Sequence, residues 1–490
     1  MTFLGIDAGT TCTKGVLFSE SGEILTTESR DNALIEKNGE TYIDLPLIRD
    51  NVQSILTAVS RDYQIGTVAF TSLGESFAAL DENDDLLFPP MLYSDPRGTE
   101  QAERLSRELG DDAIFALTGV VPQGMYSICK LLWWRENRPE VYAKIRKVFL
   151  VGDYLGYCLT GNAMIDRGLA SRTGALDIKN MIFDEGMLAT AGLTPDMFSE
   201  VVPAGTVIGT VKPELAEKLG MDPGCLVVAG SHDQICSALG SGGIRDGVGV
   251  DGMGTVECIV ALFRGQVTDA DMGREGYVCA PFAADGTYAT YMFNYTCGGL
   301  MKWFKSTLCR DLYPEGEDSF YAWCEKDIDT AHASGLLLLP YFRGAATPYN
   351  DIFAKGAMIG LTCDTTPQDV YRAVLEATSC EMRVNLEAMS AFGMRLDELI
   401  VTGGCARSDA WLQIKANILG IPVRRVSNVE AGCCGTAMLG AVAAGVFPDL
   451  DAAAGVFVTP GRVFYPQKDE SFEKQYEKYK KLYKTVKEFF

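Results

Sequence analysis

One unit occurs twice in this sequence and constrains its fold more than any other feature: an apolar strand, a Gly-Thr turn and a second strand. The first copy lies at residues 4–18 with its turn at Gly9-Thr10, and the second at residues 248–257 with its turn at Gly254-Thr255. The two turns are separated by half of the 490-residue chain. A repeat on this scale predicts two similar halves, each offering one hairpin to a shared cleft.

The residue types in both turns suit a phosphate group. Gly9 and Gly254 allow the backbone to come close to a ligand. The hydroxyl groups of Thr10, Thr11 and Thr255, with the neighbouring amides, can point at phosphate oxygens. An ordinary hairpin turn explains a single copy about equally well, so the phosphate hypothesis depends on the repeat.

Two charged residues accompany the first turn. Asp7 lies at its start, where a carboxylate can hold Mg²⁺ directly or through water, because Mg²⁺ takes oxygen ligands and retains several waters. Lys14, on the second strand, adds a positive charge that we expect to be mobile. The first hairpin is therefore predicted to bind phosphate and a magnesium ion together.

Length and charge narrow the function classes. A chain of 490 residues is too long for a single core. Its net charge of −22 disfavours nucleic acid and anionic membranes as partners, so any phosphate must be bound by local groups. The fifteen cysteines form no Cys-x-x-Cys motif, and no segment reads as a leader or a membrane span. We therefore expect a cytoplasmic protein with reduced thiols.

An acidic residue directly after a buried strand is the candidate catalytic base. Residues 226–230 are apolar and small, and they lead into His232 and Asp233. A carboxylate at such a strand-to-helix turn is placed to take a proton from a substrate hydroxyl. We predict that Asp233 is the base. His232 is predicted to be structural, because the side chains of adjacent residues rarely face one another.

Polar residues that follow an earlier strand, at 66–71, are candidates for substrate binding. Glu75 can accept hydrogen bonds from substrate hydroxyls, because ligands of α/β sheets gather at strand ends. The alternative is a surface acid in a loop. Asp95 and Arg97 either grip a polyol between them or pair with each other at the surface.

The second half carries glycine-rich turns of its own. Five glycines between residues 240 and 249 predict an interdomain hinge. A helix that opens at Gly298 is a candidate nucleotide contact through its N-terminus. Residues 399–408 read as strand, glycine turn and helix, and residues 470–490 as a charged amphipathic helix that packs on its own protein.

These features, in this order, resemble the FGGY family of carbohydrate kinases over essentially the whole chain. The first family signature is matched by Met125-x-Ser127-x-x-Lys130-Leu131-x-Trp133-Trp134-x-Glu136-Asn137. The second signature is matched by Gly356-x-Met358-x-Gly360-Leu361 and then Asp369-Val370-x-x-Ala373-Val374-Leu375-Glu376.

The resemblance implies roles for residues on both sides of the cleft. It implies that Asp233 is the general base and that Asp7 organises Mg²⁺. It also implies that Thr11 and Thr255 flank the transferred phosphoryl group. The residues that it places on the ADP side are Gly298, Lys302, Gly404 and Ser408.

The fold that the resemblance implies is α/β, with two ribonuclease H-like domains of the actin-like ATPase type. These domains are related by internal duplication and are separated by a cleft. We expect an N-terminal domain at residues 1–242, with the sugar site, the first hairpin and the base. A C-terminal domain at 243–455 holds the nucleotide site and the second hairpin, and a helical tail follows at 456–490.

The sugar contacts differ from those of two subfamilies. Xylulose kinases carry Met-His where this chain has Gly74 and Glu75. Glycerol kinases carry Glu at the position of Glu75 and an Asp-Gln pair like Asp233 and Gln234, but Arg in place of Gly74 and Tyr in place of Met125. By resemblance, these five positions belong to the substrate site. Glu75 is expected to select the substrate, Gly74 to leave extra room, and D-xylulose not to be the best substrate.

The sequence thus predicts an ATP- and Mg²⁺-dependent kinase that phosphorylates a primary hydroxyl of a small sugar or polyol. A ketopentose of the xylulose type and a glycerol-like polyol both stay open as substrates. A non-catalytic sugar or nucleotide sensor on the same fold is the alternative outside the enzyme class. The expected partner is a small molecule rather than nucleic acid or membrane, and a homodimer is left open.

Overall fold

The computed structural model describes residues 1–310, 312, 317–426 and 430–490. The strands of the first half are β1 (Thr2–Ala8), β2 (Cys12–Ser19), β3 (Ile24–Asp31), β4 (Leu34–Lys37), β5 (Glu40–Ile43), β6 (Thr67–Ser72), β7 (Phe77–Leu80), β8 (Lys147–Leu150), β9 (Met164–Asp166), β10 (Leu176–Asp177), β11 (Ile182–Phe183), β12 (Glu200–Val202), β13 (Val207–Thr210) and β14 (Leu226–Val228). Its helices are α1 (Leu45–Ser60), α2 (Thr99–Leu109), α3 (Asp111–Thr118), α4 (Ser127–Asn137), α5 (Pro139–Tyr142), α6 (Val151–Thr160), α7 (Arg167–Ser171), α8 (Glu185–Ala191), α9 (Pro213–Leu219) and α10 (Asp233–Gly240).

The strands of the second half are β15 (Val248–Met253), β16 (Glu257–Arg264), β17 (Ala280–Pro281), β18 (Thr287–Asn294), β19 (Leu337–Leu339), β20 (Ala357–Ile359), β21 (Glu398–Thr402), β22 (Val423–Val426) and β23 (Pro460–Phe464). Its helices are α11 (Ala270–Arg274), α12 (Gly298–Leu308), α13 (Glu317–Glu325), α14 (Pro367–Ala391), α15 (Asp409–Leu419), α16 (Ala431–Ala443), α17 (Leu450–Phe457) and α18 (Glu470–Val486). No helix among the described residues is both long and apolar enough to cross a bilayer.

The two halves build sheets of the same design. The first sheet has the order β13-β14-β6-β1-β2-β3, and the second β17-β18-β16-β15-β21-β22-β23. In the first sheet β1 runs antiparallel to β2 and parallel to β6. In the second, β15 runs antiparallel to β16 and parallel to β21. The predicted α/β fold with two related halves is confirmed, and each Gly-Thr turn joins the first two strands of its sheet.

Local sequence explains why the central strands hold their place. All six residues of β6 are buried, as expected for a parallel strand covered on both faces. Helix α1 covers one face of the first sheet with an apolar stripe, and its first turn is capped by Asp44, which accepts a hydrogen bond from the Leu47 amide at 3.0 Å. The segment between β6 and β13 carries helices α2 to α8.

Helices α10 and α16 connect the halves. Helix α16 belongs to the second half of the sequence, yet it packs against β1 and β6 of the first sheet and against α10. A Cβ atom at Gly5 would lie 1.9 Å from the Cys433 carbonyl oxygen, and one at Gly435 would lie 2.1 Å from that of Cys236. Only glycine permits contacts as close as these. The halves therefore share a core at this junction.

The predicted hinge at residues 240–249 is largely a packed junction. A Cβ atom at Gly240 would lie 1.9 Å from the Ala431 carbonyl oxygen, and one at Gly243 would lie 2.4 Å from the Val250 side chain. Close packing therefore explains these glycines. Gly242 and Gly247 instead have positive φ values of 93° and 79°, which turns require.

The predicted helical tail, 456–490, also contains a strand. β23 pairs with β22 and extends the second sheet, so the description of this segment as helical is wrong in part. The prediction that its helix packs on its own protein is confirmed for α18. Tyr479 donates a hydrogen bond to Glu381 of α14 at 2.5 Å, and Arg383 of α14 forms an ion pair with Glu473 at 2.8 Å. The domain boundaries stay predictions.

We expect Gly435→Ala to destabilise the protein by about 1–3 kcal/mol, because its Cβ meets backbone atoms that have no room to move. Gly455→Ala is the matched control, since α17 leaves open space around Gly455, and alanine there should be neutral or stabilising by up to about 1 kcal/mol. Denaturant unfolding of both variants measures the difference. Equal stability of the two variants would contradict the packing argument.

Candidate active site

The first hairpin is braced from outside the turn. The Gly9 amide donates to the Cys12 carbonyl at 3.1 Å. The Asn32 side chain donates to the Gly9 carbonyl at 2.8 Å, and the Asn32 amide donates to the Thr11 carbonyl at 2.9 Å. Thr10 is partly exposed and Thr11 is exposed. The turn is therefore held in shape while both threonine side chains stay accessible.

The second hairpin is docked on the start of α12. Gly254 and Thr255 are exposed, but their carbonyl groups accept hydrogen bonds from the Gly298 and Gly299 amides, each at 2.9 Å. The Cys297 amide also donates to Thr255, at 3.1 Å. The hairpin therefore already occupies the amides at the N-terminus of α12, so a nucleotide could not use them, and the assignment of Gly298 to the nucleotide site stays a prediction.

Two of the predicted nucleotide-binding glycines face open space. A Cβ atom at Gly254 would come no closer than 3.7 Å to any atom, and one at Gly404 would meet nothing within 4 Å. Neither residue has a positive φ. Gly403 differs, since its φ is 97° and its Cβ would lie 2.6 Å from the Met253 carbonyl oxygen. The protein's own packing requires Gly403, whereas Gly254 and Gly404 leave room for a ligand.

The other two predicted contacts on this side have different surroundings. Lys302 is exposed on α12. The Ser408 hydroxyl accepts a hydrogen bond from the Trp411 amide at 3.0 Å and donates to Glu325 at 2.5 Å. Ser408 is thus the N-cap of α15, so a nucleotide contact would have to share a hydroxyl that is already engaged.

Asp233 begins α10 at the end of the central strands. The Gln234 amide donates to Asp233 Oδ1 at 2.6 Å, and the Asp233 side chain remains 40% exposed. Burial of its surroundings and the nearby carboxylates of Asp7 and Glu75 raise the pKa of Asp233 to about 7. A carboxylate with such a pKa exchanges protons readily at neutral pH, as a general base requires.

His232 does face its neighbour, so the sequence argument against this contact is wrong. Its Nε2 lies 3.1 Å from Asp233 Oδ1, and its Nδ1 lies 3.5 Å from the Tyr291 hydroxyl. The backbone is extended at His232 and helical from Asp233 onward, which turns the ring toward the carboxylate. Burial and the Arg172 guanidinium lower the pKa of His232 to about 3, so the imidazole is neutral.

The cation of the first hairpin is not mobile. Lys14 Nζ lies 2.9 Å from Glu430 Oε1, just before α16, and this ion pair corrects the sequence expectation. Burial raises the pKa of Asp7 to about 6, Lys14 opposes that shift, and Glu430 adds to it. A Cβ atom at Gly432 would lie 3.4 Å from Asp7 Oδ2, so the start of α16 closes over this carboxylate.

These groups fit a magnesium ion that is shared with phosphate. Asp7, Asp233 and Glu430 accumulate negative charge that Lys14 offsets only in part. Among the described residues, no group of three or more acidic, histidine or cysteine side chains forms a metal cage. Asp7 would therefore hold Mg²⁺ with waters and phosphate oxygens completing the shell, which is the usual arrangement for this ion.

A buried ion pair lies where the sequence predicts the substrate site. Glu75 and Arg172 are each 4% exposed. Arg172 Nε donates to Glu75 Oε1 at 2.8 Å, and Arg172 Nη2 donates to the same oxygen. Burial alone would raise the pKa of Glu75, but the Arg172 guanidinium lowers it below its usual value. The alternative of a surface acid is excluded, and Glu75 is neutralised rather than free.

The surroundings of Arg172 also correct the expectation for Gly74. A Cβ atom at Gly74 would lie 3.1 Å from both Arg172 Cγ and His232 Cδ2, so the expected extra room is filled. Arg172 lies over the rings of Tyr126 and Tyr291 at 5.2 Å and 5.8 Å. Its Nη1 is buried without a hydrogen-bond partner. One donor of this guanidinium is therefore left for a ligand.

Asp166 connects the segment that carries Arg172 to the segment that carries Asp233. Its carboxylate caps α7, accepting from the amides of Gly168 at 2.8 Å and Leu169 at 3.0 Å. The same carboxylate accepts from the Ser231 hydroxyl at 2.7 Å. Because Arg172 follows α7 and Asp233 follows Ser231 by two residues, Asp166 links the segments that carry both charged groups.

Asp95 and Arg97 pair with each other. Arg97 Nε donates to Asp95 Oδ1 at 2.9 Å, and Arg97 Nη1 donates to the Tyr42 hydroxyl at 2.8 Å. Their charges are thus engaged within the protein. This agrees with the alternative that the two residues pair with each other, except that both side chains are partly buried rather than at the surface. Met125 is partly buried, and the next residue, Tyr126, is the one that contacts Arg172.

Sequence reasoning missed the residues that partner the predicted ones. The sequence analysis assigns no role to Arg172, Tyr126, Tyr291 or Asp166. Arg172 and Glu75 are 97 positions apart, and no periodicity connects them. The sequence feature that could have indicated a role for Arg172 is a single arginine among small residues, in a segment that the structure shows to be buried.

Comparison with known proteins gives one family along the chain. Residues 2–240 match the N-terminal domain, and residues 253–444 the C-terminal domain, of the FGGY family of carbohydrate kinases. A xylulose kinase of Lactococcus lactis is 28% identical, over 100% of this chain and 98% of that protein. A gluconokinase of Bacillus licheniformis is 30% identical, over 98% of this chain and 94% of that protein. The crystal structure of a xylulose kinase from Rhodospirillum rubrum superposes with a TM-score of 0.91 at 25% identity, covering 100% of this chain and 99% of that one.

Replacing Glu75 with Gln should leave the buried Arg172 charge without a partner and destabilise the fold at pH 7 by about 3–5 kcal/mol. Because the pKa of Glu75 is lowered in the folded state, its contribution is present above the unfolded pKa and is lost as pH falls through the folded pKa. The gap between variant and wild type should therefore shrink in acid. Thermal unfolding across a pH series measures it.

Glu28→Gln is the control for that experiment. Glu28 pairs with Arg30 at 2.8 Å, but both side chains are 31% exposed, so its loss should cost only about 0–1 kcal/mol. A Glu75 variant as stable as the Glu28 variant at pH 7 would contradict the buried-pair account.

Proposed function

The chain belongs to the FGGY family of carbohydrate kinases, and on that premise we propose that it transfers the γ-phosphoryl group of ATP to a primary hydroxyl of a small sugar or polyol. The observation that carries this proposal is the position of Asp233. Its partly exposed carboxylate has a pKa raised to about 7, and both Asp7 of the first hairpin and the Glu75–Arg172 pair lie near enough to act on it electrostatically. The cytoplasmic location and a homodimer stay predictions.

Asp233 is assigned the role of general base. Both close contacts of its carboxylate, with the Gln234 amide and with His232, involve Oδ1. We therefore assign Oδ2 to the substrate hydroxyl. The neutral imidazole and the amide fix the orientation of the carboxylate without neutralising it, so that it can accept the hydroxyl proton as the new P–O bond forms.

The nucleotide is assigned to the surface between the two hairpins. Thr10 and Thr11 on one side, and Thr255 on the other, are accessible to phosphate oxygens. Gly254 and Gly404 leave open space where the nucleotide can approach the backbone. Mg²⁺, when held at Asp7, neutralises charge on the phosphate groups. The protein's own part is positioning, because phosphoryl transfer needs little covalent help.

The acceptor is assigned to the pocket around Arg172. Its unpartnered Nη1 requires an acceptor oxygen, which a carbonyl, a hydroxyl or a carboxylate of the substrate supplies. Glu75 is committed to Arg172, so the argument that a free carboxylate disfavours D-xylulose loses its premise. An open-chain ketopentose, polyol or sugar acid that reaches both Asp233 and Arg172 suits the pocket better than the shorter glycerol.

An acceptor panel tests the proposal. D-xylulose, D-gluconate, a pentitol and glycerol are compared in a coupled ADP-release assay with wild type, Asp233→Asn and Asp184→Asn. Asp184 also precedes a helix, as the N-cap of α8, and its Asn variant should behave as wild type. Asp233→Asn should lower kcat/KM by about 10²–10⁴-fold. The wild-type kcat/KM should rise with pH and level off above about 7, because the ionised carboxylate is the active form.

Two results would count against the assignment. ADP release with none of the acceptors would contradict the proposed activity, and near-normal turnover by Asp233→Asn would remove Asp233 as the base. Glycerol as the best acceptor would overturn the preference for longer substrates.

Gly254→Val tests the second hairpin. The protein accommodates a side chain at this position, so the variant should fold and still bind its sugar. Affinity for a non-hydrolysable ATP analogue should fall about tenfold or more, because the side chain displaces charged hydrogen bonds worth ~1.5–3 kcal/mol. Calorimetry measures both ligands, with Gly455→Ala as the control. Unchanged affinity for the analogue would contradict a phosphate role for this hairpin.

A further inference from the structure

A fully buried charge cluster lies at the base of the second hairpin. Lys415 of α15, Asp251 of β15 and Glu257 of β16 are each 0% exposed. Lys415 Nζ donates to Asp251 Oδ2 at 2.5 Å, and it also donates to Glu257 Oε1. The other two carboxylate oxygens, Asp251 Oδ1 and Glu257 Oε2, are buried without a hydrogen-bond partner among the described residues. Both carboxylates therefore depend on one ammonium group.

The members of this cluster come from the segments that carry the candidate nucleotide contacts. Asp251 lies on the strand that enters the turn of the second hairpin, and Glu257 lies on the strand that leaves it. Lys415 lies on α15, the helix whose first turn is capped by Ser408. The ammonium group thus joins both strands of the hairpin to the helix that follows the glycine turn at 403–404.

The backbone pairing of β15 with β21 ends before the turns that follow these strands. Its last pair is Gly252 with Thr402. Past that pair, Cys405 Sγ lies 3.7 Å from the Gly254 carbonyl oxygen, a contact that is weak because a thiol is a poor donor. The position of α15 against the hairpin therefore depends on the charged side chain that reaches across, Lys415.

Stability alone does not account for a cluster of this kind. Taking an ammonium group and two carboxylates out of water costs free energy that their mutual attraction often fails to recover, and well-packed apolar side chains of similar volume are commonly as stable. The charged cluster differs from apolar packing in its specificity. An ammonium group that is shared by two carboxylates permits one arrangement of the three elements, which favours a role in geometry.

We propose that Lys415 is a positioning residue for the nucleotide, because it fixes the distance between the turns at Gly254 and Gly404. Both glycines face open space where a ligand can approach the backbone. A misplacement of about 1 Å is enough to weaken contacts that one ligand has to make with both turns together. Asp233 and Arg172 lie on other segments, so the acceptor should be unaffected. This inference rests on the proposed nucleotide site.

The experiment replaces the cluster with neutral side chains of similar size, as Asp251→Asn, Glu257→Gln and Lys415→Met in one protein. Because all three charges are removed together, no buried charge is left unpaired and the variant should fold. Calorimetry should show affinity for a non-hydrolysable ATP analogue reduced about tenfold or more. The KM for ATP should rise by a similar factor, whereas the KM for the acceptor should stay within about twofold of wild type.

Two further variants complete the design. Glu257→Gln alone keeps the pair between Lys415 and Asp251, so it should fold and weaken analogue binding to a smaller extent. Glu381→Gln is the matched control, since Glu381 is a buried carboxylate of α14 that accepts hydrogen bonds from Tyr341 at 2.9 Å and Tyr479 at 2.5 Å. It should lower the unfolding temperature and leave affinity for the analogue as in wild type.

The outcomes separate this proposal from the proposed function. A folded neutral variant with wild-type affinity for the analogue would overturn the proposal. An equal loss for nucleotide and acceptor, or failure of both cluster variants to fold, would overturn it as well, because the cluster would then serve the fold as a whole. Wild type without affinity for the analogue would contradict the nucleotide site itself. Wild type that binds the analogue but phosphorylates no acceptor would count against the kinase assignment alone.

Discussion

The backbone contact of α16 with β1 and α10 is the constraint on which the rest of the structure depends. It needs glycine at Gly5, Gly240 and Gly435, where a Cβ atom would lie within 2.1 Å of a carbonyl oxygen. The three elements end or begin at the same edge of the first sheet. β1 leads to Asp7, α10 begins with Asp233, and α16 begins beside Glu430. One packing arrangement therefore brings three carboxylates together from distant parts of the chain.

That arrangement determines the electrostatics of the cleft. Burial is the largest cause that raises the pKa of Asp7 to about 6 and that of Asp233 to about 7; the carboxylate of Glu430 adds to the first shift, and those of Asp7 and Glu75 add to the second. The nearby cations are committed, Lys14 to Glu430 and Arg172 to Glu75. In the proposed site, phosphate groups would therefore depend on backbone amides, hydroxyls, a metal ion and the exposed Lys302 rather than on Lys14. This is consistent with a chain whose net charge is −22.

The fold was predictable from the sequence because each copy of the repeated strand–turn–strand unit can be recognised within a short stretch of residues. Two strand–Gly-Thr–strand units in matching positions predict two sheets of one design, and both sheets have it. The place of Asp233 at the start of a helix shortly after a buried strand was predictable for the same reason, and its role as the base stays a proposal. The sequence places Gly254 and Gly404 in glycine turns. Only the structure shows that both face open space, whereas the protein's own packing requires the neighbouring Gly403.

The features of the site that the sequence did not predict depend on contacts between segments that lie far apart in the chain. Glu75 looked like a free acceptor because Arg172, its partner, is 97 positions away. The helix start at Gly298 looked like an anion site because the hairpin that covers its amides is more than forty residues earlier. The contact between His232 and Asp233 was missed for a local reason, since the change from extended to helical backbone at that residue turns the ring toward Asp233.

The central claim is that Asp233 activates a primary hydroxyl for in-line transfer from ATP. Phosphorus NMR of the product mixture tests it most directly, with ATP, Mg²⁺ and each acceptor of the panel. We expect a phosphomonoester signal that grows in step with ADP and is split into a triplet by the two protons of a CH₂O group. Inorganic phosphate as the only product, or a doublet from a secondary carbon, would contradict the account.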